Sequence, residues 1–159
     1  MTFDFDFANW LLGLLARLSA SAAKFAGGGP GEISALLGYG DGRHATILAS
    51  GMMPRAHPFT TGFRALFEGA LFELHNVFAD GAPQSKFMIS NNKSGPRNVA
   101  VRGRNPHQVE LQRFVDCIRG EADPDFLDVE RAIEALAVSI ATRRSLEEAR
   151  SVEIRTVLI

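Results

Sequence analysis

The apolar residues of this chain change period near residue 104, and that switch constrains the fold more than any other feature. Before it, apolar and polar residues alternate in short runs, the period of half-buried strands. After it, they recur at three- and four-residue spacing, the period of amphipathic helices. Strands first and helices last predict an α+β fold rather than a doubly wound α/β sheet. With 159 residues, 46% of them hydrophobic, the chain can bury one sizeable core.

The elements follow from local signals. Residues 4 to 13 read as a helix that Asp4 or Asp6 caps and Gly13 ends. Residues 15 to 26 alternate as a strand, and residues 27 to 31 read as a glycine-rich loop. Ile33–Tyr39 and His44–Ser50 flank Asp41-Gly42, the signature of a hairpin with a type I′ turn. A second strand pair is expected at Phe63–Phe67 and Leu71–His75, around Gly69. Two more are expected at Lys86–Ile89 and Asn98–Arg102, separated by the turn-rich residues 91 to 96. Asn105-Pro106 opens a helix with an apolar stripe of Leu111, Phe114, Val115 and Ile118, ended by Gly120. A second helix starts near Asp128, its stripe being Val129, Ile133, Leu136, Ala137, Ile140 and Ala141. Residues 151 to 159 read as a last strand.

Charge and composition exclude several functions. A net charge of −1 argues against a globally basic nucleic-acid binder. One cysteine leaves no intramolecular disulfide and no cysteine-based zinc finger. The apolar run Trp10–Ala16 is far too short to span a bilayer, so a cytoplasmic protein without membrane partners is expected. Residues 81 to 109 hold five basic residues and no acid, whereas residues 110 to 149 hold ten acids and five bases. Such runs are ordinarily solvated faces.

No motif among these residues demands chemistry. The glycine cluster matches neither G-x-G-x-x-G nor G-x-x-x-x-G-K-[ST], and it lies between strands rather than before a helix. His44, His57, His75 and His107 are too scattered to suggest a metal site. Cys117 sits on an apolar helix stripe and reads as a buried small hydrophobe. Asp4 and Asp6 could act as an acid–base pair, although carboxylates at that spacing at a helix start more often serve as caps.

The order of the segments, taken together, resembles one family. Residues 4 to 13, from Asp4-Phe5-Asp6 through Trp10-Leu11-Leu12-Gly13, are similar to an H-D-x-D-x-x-x-W-L-x-G segment. Gly38-Tyr39-Gly40-Asp41-Gly42 with Ala45-Thr46-Ile47 resembles a G-Y-x-D-G-x-x-A-x-I hairpin, and Phe67-Glu68-Gly69-Ala70-Leu71 a short glycine turn. Glu110-Leu111 with Phe114-Val115-Asp116, Ile118 and Gly120 resembles an E-L-x-x-F-V-D-x-I-x-G helix. The family is the Gfo/Idh/MocA oxidoreductases, which use NAD or NADP on sugars, inositols and related polyols.

The resemblance covers the family's C-terminal half only. It implies that residues 1–159 form one substrate-binding and dimerisation domain, an open, mostly antiparallel sheet with helices packed on one face. The family's glycine fingerprint and its Glu-Lys-Pro motif are absent from these residues, and its catalytic histidine falls on Phe3. Phenylalanine cannot exchange a proton. No cofactor is therefore expected in this chain and no activity from it alone, unless a separate Rossmann domain supplies NAD or NADP. Asp4, Asp6 and His107 are the expected substrate-binding residues, with no catalytic, cofactor or metal ligand. A homo-oligomer is expected through the sheet face the helices leave open, where Leu36 sits opposite in parity to Ile33, Ala35 and Leu37. The alternative is a non-catalytic interaction protein that keeps the fold for assembly.

Overall fold

The computed structural model describes residues 1–79, 84–100 and 105–157. The chain is α+β, as its periodicity predicts. Helix α1 (Thr2–Leu12) leads into β1 (Leu15–Lys24), β2 (Pro30–Tyr39) and β3 (His44–Ser50). Strands β4 (Phe59–Phe67), β5 (Ala70–Phe78), β6 (Gln84–Asn91) and β7 (Ser94–Val99) follow. Helix α2 (Pro106–Ile118), a 3₁₀ turn (Pro124–Leu127), helix α3 (Val129–Glu148) and the two-residue strand β8 (Val152–Glu153) complete the order. The strands form two antiparallel sheets, β3-β2-β1-β8 and β4-β5-β6-β7. The segment between β3 and β4 holds Pro54 and Pro58, which lack the N–H a ladder needs. The chain divides into two compact units, Met1–Met53 with Phe114–Ile159, and Pro54–Arg113.

The first unit is built by alternation. Ala35, Leu37 and Tyr39 point inward from β2, while Leu36 between them is exposed. The register Ala35↔Ile47 and Ala20↔Ala35 carries the same face across β3 and β1. Helices α1 and α3 cover it. Phe5 and Ala8 of α1 join Leu15, Leu18, Val138, Ala141, Val152 and Ile154 in one core. Phe3 and Phe7 are exposed, because a helix cannot turn residues two apart to one side.

Several expectations need correction. Helix α1 starts at Thr2 with no side-chain cap, so Asp4 and Asp6 lie inside the helix and are not its caps. The hairpin after Tyr39 is not type I′: only Gly42 in its loop has a positive φ, of 89°. Gly42 N–H donates to Tyr39 C=O (3.1 Å) and Tyr39 N–H to Arg43 C=O (2.9 Å). That is a three-residue loop closed by a glycine bulge. Pro30 and Gly31 belong to β2 rather than to the loop before it. The turn expected over residues 91 to 96 is shorter, since β7 resumes at Ser94. It accommodates Pro96 because it is an edge strand. Of the strand expected at Asn98–Arg102, residues 101 and 102 lie outside the described residues. The final strand stops after Glu153, where a 3₁₀ turn, Ile154–Thr156, replaces it. Residues 158 and 159 lie outside the described residues.

The helices depart from the expected burial too. Asn105 caps α2 as expected, accepting from His107 N–H at 3.0 Å, and Gly120 ends it with φ 72°. Yet no residue of α2 is buried, and Leu111, Phe114 and Ile118 are exposed. Asp128 caps α3 by accepting from Glu130 N–H at 3.2 Å. The face of α3 that meets the sheet is its small one, Ala135, Ala137, Val138, Ala141, Thr142 and Ser145. Val129, Ile133 and Leu136, expected in the core, are exposed. Short side chains let the helix backbone approach β1 closely, which the larger ones would prevent. Cys117 is half-buried rather than buried, and its thiol donates to Asp123 C=O at 3.4 Å.

Leu18 is 1% exposed and Leu48 is 64% exposed, so truncation should separate them. Leu18→Ala should lose about 2–5 kcal/mol in urea unfolding. Leu48→Ala should stay within about 0.5 kcal/mol of the parent. Equal losses would mean that the inward face is not the one assigned.

Candidate functional site

The first unit carries an open cleft of about 430 Å³ between α1 and the start of α3. Helix α1 supplies Asp6, Asn9 and Trp10, and its end supplies Gly13 and Leu14. The cap and first turns of α3 supply Asp128, Glu130, Arg131 and Glu134. Local rules place them. Asp6 and Trp10 are four apart on α1, and Glu130 and Glu134 four apart on α3, so each pair shares a helix face. Gly13, with φ 81°, ends α1 and turns the chain into β1.

The wall is acidic, with four carboxylates against one guanidinium. Asp128 is held below the usual carboxylate range, first by a hydrogen bond with the Glu130 side chain, then by the Glu130 N–H, with Arg131 adding its charge. Asn9 Oδ1 is buried with no partner, and Trp10 is 55% exposed. Carboxylates accept hydrogen bonds from hydroxyl or amino groups, and an indole offers a flat apolar surface. The lining holds no histidine, cysteine or serine among the described residues, so its ionisable groups are the four carboxylates and Arg131. Among the described residues, no three His, Cys, Asp or Glu side chains are grouped to hold a metal ion.

The three expected site residues have different fates. Asp6 lines the cleft. Asp4 is not in its lining; two residues away on α1, it projects about 200° round the helix from Asp6. Its carboxylate lies 3.3 Å from the Met1 amino nitrogen. His107 belongs to the second unit, at the exposed start of α2, with Nδ1 3.9 Å from the Glu110 carboxylate. The α3 residues of the cleft are not among the residues the sequence marks as site candidates. The available signal was Asp128 followed by Glu130 and Glu134, which reads equally well as a helix start with acids near its positive end. No helix of the described residues is long and apolar enough to cross a membrane.

No protein-family profile matches the chain, and no curated protein does. Solved structures do match in fold. A protein described as an NADPH-dependent oxidoreductase, from Desulfitobacterium hafniense, superposes with a TM-score of 0.80 at 20% identity. The match covers 98% of this chain and 47% of that one. The WlbA dehydrogenase of Bordetella pertussis, solved with NADH and UDP-GlcNAcA, matches with a TM-score of 0.70 at 18% identity, over 96% of this chain and 42% of its own. The aldose–aldose oxidoreductase of Caulobacter crescentus, solved with glycerol, matches at 0.70 and 15%, over 96% and 45%. The chain shares its fold with part of these oxidoreductases. It spans less than half the length of each. Among the described residues, no glycine-rich turn leads from a strand into a helix, the unit that cradles a dinucleotide pyrophosphate, and no cofactor site is evident.

The lowered Asp128 pKa has a pH consequence. Its ionised form is favoured by folding, so the stabilisation is complete above the ordinary carboxylate pKa and fades as pH falls through the lowered one. Asp128→Asn keeps an acceptor for the cap but not the charge. The stability gap between parent and Asp128→Asn should be constant near neutrality and close in strong acid. A gap that widens as pH falls would contradict the assignment.

Proposed function

We propose that this chain is the substrate-binding and assembly domain of a Gfo/Idh/MocA-type oxidoreductase acting on sugars or polyols. The observation that carries the reading is the coverage: 96–98% of this chain lies on 42–47% of three oxidoreductases. A chain whose every element has a counterpart in one half of such enzymes does the work of that half. That half corresponds to the C-terminal domain. The dinucleotide, NAD or NADP, is carried by a Rossmann domain outside these 159 residues, and hydride transfer needs both. Asp6 is the residue of this chain placed to accept hydrogen bonds from a polyol in the α1–α3 cleft. Asp4 and His107 stay separate substrate-binding candidates, one in each unit, being exposed and polar. The setting is the cytoplasm.

Assembly belongs to the same reading. The four-stranded sheet of the second unit carries Phe59, Phe67 and Phe78 exposed on one face, where the rings of Phe59 and Phe78 lie 5.4 Å apart, tilted by 37°. Burying a phenylalanine contributes about 1.5–3 kcal/mol, so such a face favours a second copy. Phe3 and Trp10 give the outer side of α1 the same character, which suits contact with a Rossmann partner.

Ligand-induced stabilisation tests the reading. A sugar or polyol at about 100 times its Kd should stabilise the chain by about 2.7 kcal/mol, read as a rise in Tm. Asp6→Ala should lose most of that rise. NAD, NADH, NADP and NADPH should give none. Micromolar dinucleotide binding by the chain alone, or indifference to every polyol tried, would sink the proposal.

A further inference from the structure

The outer edge of β4 is built differently from the other edge of its sheet. In the order β4-β5-β6-β7, both β4 and β7 are terminal. Strand β7 carries Pro96 and Arg97, and its register with β6 is broken between Ile89 and Asn91. Proline, charge and a bulge are the devices that stop an edge from recruiting another strand. Strand β4, Phe59-Thr60-Thr61-Gly62-Phe63-Arg64-Ala65-Leu66-Phe67, has none of them in strength. It holds no proline, and it pairs with β5 without a break over all nine residues. Its single charge, Arg64, is met by Glu73 of β5 at 3.3 Å. Leu66 is 80% exposed. A long, regular, nearly uncharged edge strand is a template for another strand.

We infer that β4 pairs antiparallel with β4 of a second copy, about a two-fold axis at Phe63, joining two sheets into one of eight strands. The sequence of the strand selects both the occupant and the register. With the axis at Phe63, Phe59 faces Phe67, Thr61 faces Ala65, Thr60 faces Leu66, and Arg64 faces Gly62. Aromatic residues then meet across the joint on one side. Arg64 meets the one residue with no side chain to obstruct it. Moving the axis one residue on sets Arg64 opposite itself, and like charges directly opposed destabilise a pair. Moving it one residue back sets Gly62 opposite itself and leaves Leu66 and Phe67 without partners. Phe63 keeps its contact with Phe87, 6.4 Å between rings, and needs no rearrangement. The symmetry is self-complementary, as a closed two-fold contact requires. This inference deepens the assembly part of the proposed function and does not depend on its ligand-binding part.

Two measurements on the full chain test it. In a Cys117→Ser background, copies carrying Thr61→Cys and copies carrying Ala65→Cys are oxidised separately and mixed. Directly opposed residues have Cα atoms about 4.5–5.5 Å apart, within the span a disulfide bridges, so the mixture should cross-link and neither variant alone should. Cross-linking of either variant alone, or none in the mixture, overturns the register. The second measurement is sedimentation of Thr60→Glu/Leu66→Glu against Thr60→Glu/Leu66→Lys. The first sets like charges across the joint and should halve the assembled mass; the second sets opposite charges and should restore the parent's mass. A parent that is monomeric, or two variants that sediment alike, overturns the inference. Dinucleotide or polyol binding reports on the other proposal and moves with neither result.

Discussion

Ser145 joins three segments of the chain at one buried point, and the first unit is arranged around it. The side chain is 1% exposed. Its hydroxyl accepts from Ala20 N–H at 3.0 Å and donates to Arg150 C=O at 2.6 Å. Helix α3 is thereby fixed to β1 on one side and to its own exit turn on the other. Ser151 continues the link by donating to Leu18 C=O at 3.1 Å, just where β8 begins to pair with β1. Both bonds are part-buried, and this hydroxyl satisfies one backbone donor and one acceptor at the helix–strand contact. Beyond the short β8 the outward groups of β1 have no further strand to meet, so a side chain from the helix takes one of them. The left-handed turn at Ala149, φ 50°, brings Arg150 back within reach.

The small face of α3 follows from that attachment. A serine hydroxyl reaches only about one bond length beyond Cβ, so the helix axis must come close to the strand for the contact to form. Ala135, Ala141 and Thr142 permit the approach, and a leucine at any of them would hold the helix away. Large apolar side chains are consequently displaced to the far side of the helix. The same economy fixes α1, which places Phe5 in the core and leaves Phe3 and Phe7 outside. Tyr39, like Asn9, is an exception to good satisfaction. Its ring fills the core while its hydroxyl has no partner among the described residues, and burial raises its pKa against the pull of Arg43.

These details show which parts of the structure were readable in the residues. Period-two alternation located β1 to β5 because each strand has one face in a core or on an apolar sheet surface, so register and burial coincide. Periodicity also found α2 and α3, and the caps at Asn105 and Asp128 set their starts within a residue. It placed Ala137 and Ala141 of α3 in the core correctly, but added Val129, Ile133 and Leu136, which are exposed. Hydrophobicity ranks Ile133 and Leu136 above Ala141 and Ser145, whereas close packing on a strand ranks them by size. The turn at Asp41-Gly42 was legible as a turn but not as a type. Arg43 adds an ion pair to Asp41, with its Nε at 2.6 Å, which suits the wider loop and lowers the Asp41 pKa.

The site was harder to read than the fold, for a physical reason. A catalytic constellation that must bind a metal or move a proton leaves a fixed spacing of uncommon residues. A surface that grips hydroxyl groups needs only acceptors and an apolar plane, and Asp, Glu and Trp in helices serve structure just as often. Asp6 stood out because it lies in a segment with a family resemblance. Glu130 and Glu134 did not, because acids in the first turns of a helix have a sufficient reason in the helix dipole. Only the fold brings the two sets to one cleft. Their summed charge then acts as a filter that no single residue displays: a diphosphate would meet four carboxylates and one arginine. Uncharged hydroxyl groups meet acceptors without that repulsion. On the proposed reading, the α1–α3 cleft takes a bare sugar or polyol, and a nucleotide-linked one would have to place its phosphates elsewhere.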